Sequence, residues 1–425
     1  MKTVARKNST KKALPAQLTL ETAREGGLAQ LVREGLLNLV SLAGTMALAD
    51  ILEAERTALC GAPWARASER VGRRGGHARG RLVLGGREVI VRRPRAHALA
   101  GGGELELPSW TALSSRDPLH ERAVEQMLVG VSTRKYGRSL EPVAAELGAH
   151  GTSKSAVSRR FVEKTSVQVE KWMKRRLGDL DLVVLMIDGI HVDEHVMLVA
   201  LGIDRGGAKH VLGLHEGATE NATATTALLA DLCERGLDTQ RSMLVVIDGS
   251  KALRAAVRDV FGSRALVQRC QVHKGRNVVD HLPEAEATSA RKVMKQAYRS
   301  RDAKRAKKLL EGLARQLQSR HPSASASLQE GLDESLTVMA MGLPDALERT
   351  LSTTNAIENL MGSIRALTRR VKRWRGGQMI ERWVGVALQE ASTRFHRVRG
   401  SGGMKKLGEV LARHAQRLVS EREAA

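Results

Sequence analysis

Two matching segments constrain the fold of this chain more than any other feature of its sequence. Residues 182–187 form an uninterrupted apolar run followed by Asp188-Gly189, and residues 244–247 form a second run followed by Asp248-Gly249. Short apolar runs rich in Val, Ile and Leu predict strands that are covered on both faces. The sequence therefore predicts a buried sheet in which two strands end in a carboxylate.

The segments around these runs predict the rest of an α/β unit. Residues 196–203 and 210–214 are further strand candidates, and the short glycine-bearing connections indicate an antiparallel meander. Residues 222–235 and 251–260 predict helices, and residues 265–268 predict a last strand. The predicted order is β-β-β-α-β-α-β.

The flanking sequence has a different character. After Cys270 the sequence is strongly charged and predicts helices, interrupted by a loop at residues 321–325. A new helix is predicted to start near Ser352 and to run into the basic stretch that ends at Arg375. Before the sheet, the apolar spacing predicts a helix up to about residue 60.

Two candidate DNA-binding elements precede the sheet. Residues 81–84 and 88–91, joined through Gly85-Gly86, predict a β-hairpin crowded with arginine. Residues 139–164 predict a helix-turn-helix, with Ser153 as N-cap of the second helix. Val143 and Leu147 would pack from the first helix, and Val157 and Phe161 from the second.

The composition indicates an anionic partner. The chain of 425 residues has 69 Lys and Arg against 46 Asp and Glu, which gives a formal charge of +23. The charge recurs in separate segments, which favours nucleic acid over a membrane surface. The basic residues expected to contact DNA are Arg92, Arg93, Lys154, Arg159, Arg160, Arg365, Arg369, Arg370, Lys372 and Arg373.

Other counts narrow the class of protein. Aromatic residues make up only 2% of the chain, which favours gripping the duplex backbone over stacking on bases. The three cysteines lie far apart and cannot make a disulfide framework. No apolar run approaches the roughly 20 residues of a membrane span. We therefore expect a cytoplasmic protein with no membrane partner.

The paired aspartates indicate a metal site. Asp188 and Asp248 from neighbouring strands could hold two divalent ions, Mg²⁺ or Mn²⁺, for in-line phosphoryl transfer. Both could instead be ordinary turn residues before glycine. Glu358 is the best candidate for a third acid because it lies in the first turn of a predicted helix; the competing acids are Glu216, Glu220 and Asp259.

Cys270 and His273 have the spacing of half a zinc site. No matching second pair is present, so a structural role beside the strand competes with metal binding.

Several motifs in a fixed order point to a family. They are residues 188–192, 201–204, 217–222, 246–249, 267–274 and 353–359. Together they resemble the mutator-type bacterial insertion-sequence transposases, over about residues 120–400. The resemblance implies a ribonuclease H-like α/β catalytic core with a DDE triad and a large helical insertion. Asp188, Asp248 and Glu358 fall on the triad, and Cys270 and His273 fall on a Cys-x-x-His motif with a structural or site-supporting role.

The resemblance also implies a reaction and partners. The enzyme would bind double-stranded DNA at the terminal inverted repeats of its element and at the target. It would cleave a strand and join the 3′-hydroxyl to another phosphodiester, in a copy-out, paste-in pathway. Pairing of two ends implies a homodimer or larger assembly, associated with the bacterial nucleoid when bound.

The expected organisation combines this core with N-terminal helical, β-hairpin and helix-turn-helix parts. The predicted division is an N-terminal helical region (1–65), a basic β-hairpin region (66–115), a helix-turn-helix region (116–175), a catalytic core (176–272 and 350–395), a helical insertion (273–349) and a basic C-terminal helix or tail (396–425). Two other functions compete: a DNA-binding regulator without catalysis, and a nuclease of the same fold that never joins DNA.

Overall fold

A computed structural model of the chain describes residues 28–65, 69–84, 87–99, 101–115, 118–140, 153–217 and 222–424. The chain divides into two compact units, Met1–Val162 and Glu163–Ala425. Among the helices of the described ranges, none has both the length and the apolar character needed to cross a membrane.

The first unit combines helices with a small antiparallel sheet. Its elements are α1 (Leu28–Cys60), β1 (Gly72–Leu84), β2 (Arg87–Ala98), β3 (Glu104–Leu105), α2 (Pro108–Ser115), α3 (Pro118–Leu128) and a 3₁₀ turn (Tyr136–Ser139). β1 and β2 form the predicted hairpin, and β3 pairs with β2. The predicted Gly85-Gly86 turn lies outside the described residues.

α4 (Lys154–Met173) is the second helix of the predicted helix-turn-helix. Ser153 caps it, because its Oγ accepts a hydrogen bond from the Ala156 amide at 3.2 Å. Val157 and Phe161 are buried, as the spacing predicts. The first predicted helix, with Val143 and Leu147, lies outside the described residues, so the motif itself stays a prediction.

The second unit is built on a five-stranded mixed sheet. Its strands are β4 (Leu182–Val192), β5 (His195–Asp204), β6 (Lys209–Gly217), β7 (Met243–Ile247) and β8 (Ala265–Arg269), in the order β6-β5-β4-β7-β8. The first three strands form the predicted antiparallel meander, whereas β4, β7 and β8 are parallel to one another. α5 (Ala222–Glu234) and α6 (Lys251–Phe261) connect the later strands as predicted.

One strand boundary differs from the prediction. β4 does not end at Asp188-Gly189 but continues to Val192. The reason is its partner on the other side: β5 pairs with the extra residues, with Gly189 opposite Leu198 and Ile190 opposite Met197. Asp188 therefore lies inside a strand, beyond the last pairing with β7.

The two faces of the sheet pack against different helices. Leu185 and Ile187 belong to a core with α5 and α6. Val184 and Met186 belong to a second core, with α12 (Asp345–Leu351), α13 (Asn355–Thr368), α14 (Gly377–Ser392) and α15 (Met404–Glu423). Each fully buried side chain of this size stabilises the fold by about 1.5–3 kcal/mol. The alternation fixes which residues of β4 face α13.

A helical body lies between β8 and α12. It comprises α7 (Gln271–Val279), α8 (Glu284–Arg299), α9 (Ala303–Gln318), α10 (Pro322–Gln329), a 3₁₀ turn (Asp333–Leu336) and α11 (Thr337–Ala340), which share a core of their own. The loop predicted at residues 321–325 is wrong, because a helix begins at Pro322. Proline is well suited to the first position of a helix, where its missing N–H is not needed.

The basic stretch after α13 also differs from the prediction. α13 ends at Thr368, so Arg369 and the residues up to Arg375 lie in the connection to α14 instead of in a helix. A run of like charges without acids three or four residues away does not favour a helix.

Candidate catalytic site

The strand register places the two predicted aspartates at the same end of the sheet. β4 and β7 run parallel, with Met186 opposite Val246. Asp188 and Asp248 each follow this pair by two residues, Asp188 within β4 and Asp248 one residue past the end of β7. Because alternate residues of a strand share a face, Asp188 lies on the same face of β4 as Met186, the face covered by α13.

The backbone holds each of these half-buried carboxylates by one oxygen. Asp188 Oδ1 accepts a hydrogen bond from the Gly189 amide at 2.9 Å, and Asp248 Oδ1 accepts one from the Ser250 amide at 2.8 Å. Gly249 has a φ of +111°, a backbone conformation that residues other than glycine rarely adopt. The turn interpretation therefore describes Asp248 in part, but it does not describe Asp188, which lies within a strand.

A buried arginine fixes the turn after Asp248. Arg269 donates from Nη1 to the Gly249 carbonyl at 3.3 Å, and its Nε donates to Glu334 at 2.7 Å. Its side chain is only 4% exposed. Arg269 thus ties the Asp248 turn to the helical body, a role that the sequence did not indicate.

Glu358 lies in the first turn of α13, which begins next to β8. Thr354 is fully buried, and its hydroxyl donates a hydrogen bond to Glu358 Oε1. The Thr354 amide donates to Cys270 Sγ at 3.4 Å. Thr354 Oγ1 also lies 3.3 Å from Cys270 Sγ and 3.4 Å from His273 Nδ1. Thr354 is therefore the centre of the hydrogen bonds that orient the glutamate, and the sequence did not single it out.

Cys270 and His273 are coupled to these acids. The amide of Cys270 donates to the Ile247 carbonyl at 2.8 Å, which places Cys270 level with Asp248. Hydrogen bonding with Cys270 raises the pKa of His273, and the negative charges of Glu358 and Asp248 raise it further. Burial alone would raise the pKa of the Cys270 thiol, but hydrogen bonds from His273 and Thr354 outweigh burial and lower it.

Not all the predicted acids form one cluster. Within the described ranges, the three metal-ligating side chains whose ligand atoms lie within 4.8 Å of one another are Cys270, His273 and Glu358. His273 Nδ1 is 3.8 Å from Glu358 Oε1. Asp188, Asp248 and Glu358 are not such a group. The structure thus joins Glu358 to the Cys-x-x-His pair and places both aspartates just beyond the last paired residues of β4 and β7.

The competing third acids have other surroundings. Glu216, on the edge strand β6, is hydrogen-bonded to His195. Asp259 is exposed on α6, which packs against the opposite face of the sheet. Glu220 lies outside the described residues.

The predicted DNA contacts in the first unit differ from one another. Arg92 is exposed and lies directly opposite Arg79 in the hairpin. Arg93 instead forms a 2.6 Å ion pair with Glu104 and lies 5.5 Å from the centre of the Trp110 ring. On α4, Lys154 and Arg159 are exposed and Arg160 is half-buried.

The remaining predicted contacts follow Glu358 along the chain. Arg365 lies in α13 seven residues after Glu358, a spacing that returns to the same side of a helix, and Arg369 directly follows the end of α13. In the part of the chain that the structure describes, none of the exposed residues Arg365, Arg369, Arg370, Lys372 and Arg373 forms an ion pair. A basic track therefore leads away from the acid.

Comparison with known proteins identifies the family. The sequence model described as "Transposase, Mutator family" matches residues 18–398. The transposase for insertion sequence element ISRM5 of Rhizobium meliloti is 30% identical over 342 residues, which cover 75% of this chain and 79% of that protein. The transposase for IS256 in transposon Tn4001 of Staphylococcus aureus is 28% identical over 277 residues, 63% of this chain and 68% of that protein. This chain therefore belongs to the Mutator family of transposases.

Proposed function

We propose that the protein is the DDE transposase of an insertion sequence, which cleaves DNA strands at the ends of its element and joins the 3′-hydroxyl to another phosphodiester. One observation carries the proposal: β4 and β7 are parallel with Met186 opposite Val246, so Asp188 and Asp248 follow the same pair of residues at the same end of the sheet. A regulator that only binds DNA has no need of this arrangement. The central position of β4 in a five-stranded mixed sheet supports a ribonuclease H-like core.

The donor set fits the hard divalent ions that this chemistry uses. Asp188, Asp248 and Glu358 offer carboxylate oxygens, the ligands that Mg²⁺ and Mn²⁺ prefer, and we assign two such ions to them. When bound, the ions would activate an attacking oxygen and stabilise a leaving one. The softer thiol of Cys270 is buried and accepts a hydrogen bond from the Thr354 amide. We therefore assign to Cys270 and His273 the role of supporting Glu358.

The chain's own residues then divide the work. Thr354 orients the Glu358 carboxylate, and Arg269 holds the turn that presents Asp248. The exposed residues from Arg365 to Arg373 contact the phosphates of the DNA, and Arg92, Lys154, Arg159 and Arg160 add contacts from the first unit. Residues 176–272 and 350–395 form the catalytic core, with residues 273–349 as its helical insertion.

The proposal extends to the pathway and the assembly. The family resemblance supports a copy-out, paste-in reaction on terminal inverted repeats and target DNA, by a homodimer or larger assembly bound at the nucleoid.

Strand transfer is the decisive measurement. The protein would be incubated with Mg²⁺, a target plasmid and pre-cut DNA ends that carry a 3′-hydroxyl. A transposase joins these ends to the plasmid, whereas a nuclease of the same fold yields only hydrolysed strands. A DNA-binding regulator yields neither product, with or without the metal ion.

A further inference from the structure

We infer that a groove beside the candidate catalytic site holds an unpaired nucleotide of the DNA strand being processed. The inference rests on the proposed function, because it names a part of the DNA that this site would bind. The groove has a volume of about 500 Å³ and lies between α7, α8, α12 and Thr353, all in the second unit. Sites for small organic ligands span about 300–1,000 Å³, so a nucleotide fits.

The groove shares its walls with the candidate site. α7 carries His273 toward Glu358, and the same helix lines the groove with Val272 and Arg276. Thr353, another lining residue, directly precedes Thr354, whose hydroxyl donates to Glu358. The Gln271 amide donates to the Ser352 carbonyl at 3.0 Å and joins the two segments. A DNA strand with a phosphate at Glu358 would therefore have a neighbouring nucleotide at the groove.

The charge of the groove matches a phosphate. Its basic lining residues are Arg276, Arg291, Lys295, Arg299 and Arg349, against one acid, Asp280. Arg291 pairs with Glu284 at 3.1 Å in an exposed contact. For the other four basic residues, the described part of the chain provides no ion-pair partner. Charges that meet no acid within the protein are suited to bind phosphate oxygens.

The apolar wall favours an unpaired base over duplex. Val272, Val279, Met294 and Tyr298 line the groove between the basic residues. In a duplex the faces of the bases are stacked and hidden, whereas an unpaired base exposes a face that can lie on apolar side chains.

Binding without divalent metal tests the charges. Full-length protein in EDTA would be titrated with a labelled eight-nucleotide oligothymidylate and with a blunt duplex. The double variant Arg276→Gln, Arg349→Gln removes two groove charges. The control, Lys292→Gln, Lys308→Gln, removes two exposed charges of α8 and α9 that do not line the groove. Both doubles carry the same net charge.

The groove variant should bind the oligothymidylate about tenfold more weakly than the control does. The slope of log affinity against log salt should become shallower by about 1.4, since each lost phosphate contact accounts for about 0.7 in single strands. Equal losses in both doubles would overturn the proposal, as would a loss confined to the blunt duplex.

A cross-link tests the position. A strand with 4-thiothymidine in an unpaired end would be irradiated with the wild-type protein in EDTA. Cross-links should map to the peptides that contain Val272 and Met294, and a fully paired strand should not give them. Cross-links found only elsewhere would overturn the inference. Neither measurement needs catalysis, so an inactive protein that still binds and cross-links would refute the proposed reaction but not the groove.

Discussion

The site around Thr354 and the basic segment that begins at Arg369 lie at opposite ends of α13 and are built in opposite ways. At the site, Thr354, Cys270 and His273 are buried or half-buried, and each is hydrogen-bonded to another member of the group. In the segment that begins at Arg369, the basic side chains are exposed, and within the described residues they form no ion pairs. The hydrogen bonds of the site hold its side chains in one geometry. The exposed basic side chains of the segment are free to adapt to a DNA backbone. Catalysis and DNA affinity should therefore be separable by mutation.

The largest effect is expected at the aspartates. Asp188→Asn and Asp248→Asn keep the side-chain shape but remove the charge, so Mg²⁺-dependent strand cleavage should fall by at least about 10³-fold. Binding of end DNA in EDTA should change little. Cleavage assays with labelled ends, and gel shifts on the same preparations, measure the two properties. An aspartate whose asparagine variant cleaves normally does not belong to the site.

Neutralising the basic segment should give the reverse pattern. In the triple variant Arg369→Gln, Arg370→Gln, Lys372→Gln, the slope of log affinity for duplex DNA against log salt should become shallower by about 2.7, because each phosphate contact contributes about 0.9. Cleavage at saturating DNA and low salt should be close to that of wild type. A matched control is Lys405→Gln, Lys406→Gln, Arg413→Gln, which removes three exposed charges from α15. If the control changes the slope as much, the segment has no special role.

A smaller effect is expected at Thr354, which acts through Glu358. Thr354→Val has nearly the same shape but no hydroxyl, so the carboxylate loses its buried donor. The Mg²⁺ concentration for half-maximal cleavage should rise about tenfold, as is usual when a residue that orients a metal ligand is changed. Thr354→Ser keeps the hydroxyl and should restore the wild-type metal dependence. A loss of activity with no change in metal dependence in the valine variant would indicate only a packing defect.

The smallest effects distinguish Arg92 from Arg93. Arg93→Gln removes the Glu104 ion pair and the Trp110 contact and should lower the free energy of unfolding by about 1 kcal/mol. Arg92→Gln relieves the repulsion with Arg79 across the hairpin, so stability should hold or rise by a few tenths of a kcal/mol. DNA affinity should fall only in Arg92→Gln. Denaturant unfolding and DNA titrations of both variants, compared in parallel, provide the check.

Local patterns were enough to predict the sheet but not the contacts of the site. The apolar runs before Asp188 and Asp248 predicted buried strands, because a strand that is covered on both faces has apolar side chains at consecutive positions. The extension of β4 to Val192 depends on pairing with β5, and the helix at Pro322 depends on packing in the helical body. The contacts of Thr354 with Cys270 and His273 join residues 84 and 81 positions apart. No local pattern carries such information, and the family resemblance indicated Glu358 but not the threonine that orients it.

The chain leaves the sheet at Cys270 to form the helical body and comes back through α12 to Thr354, and Cys270 and Thr354 are hydrogen-bonded to each other. A backbone hydrogen bond from the Gln271 amide to the Ser352 carbonyl joins the same two segments. Insertions or deletions that spare these bonds and the Arg269–Glu334 contact would leave Glu358 and the Asp248 turn in place, so evolution could lengthen or shorten the body. This junction is therefore the natural place at which to exchange the helical body between related enzymes.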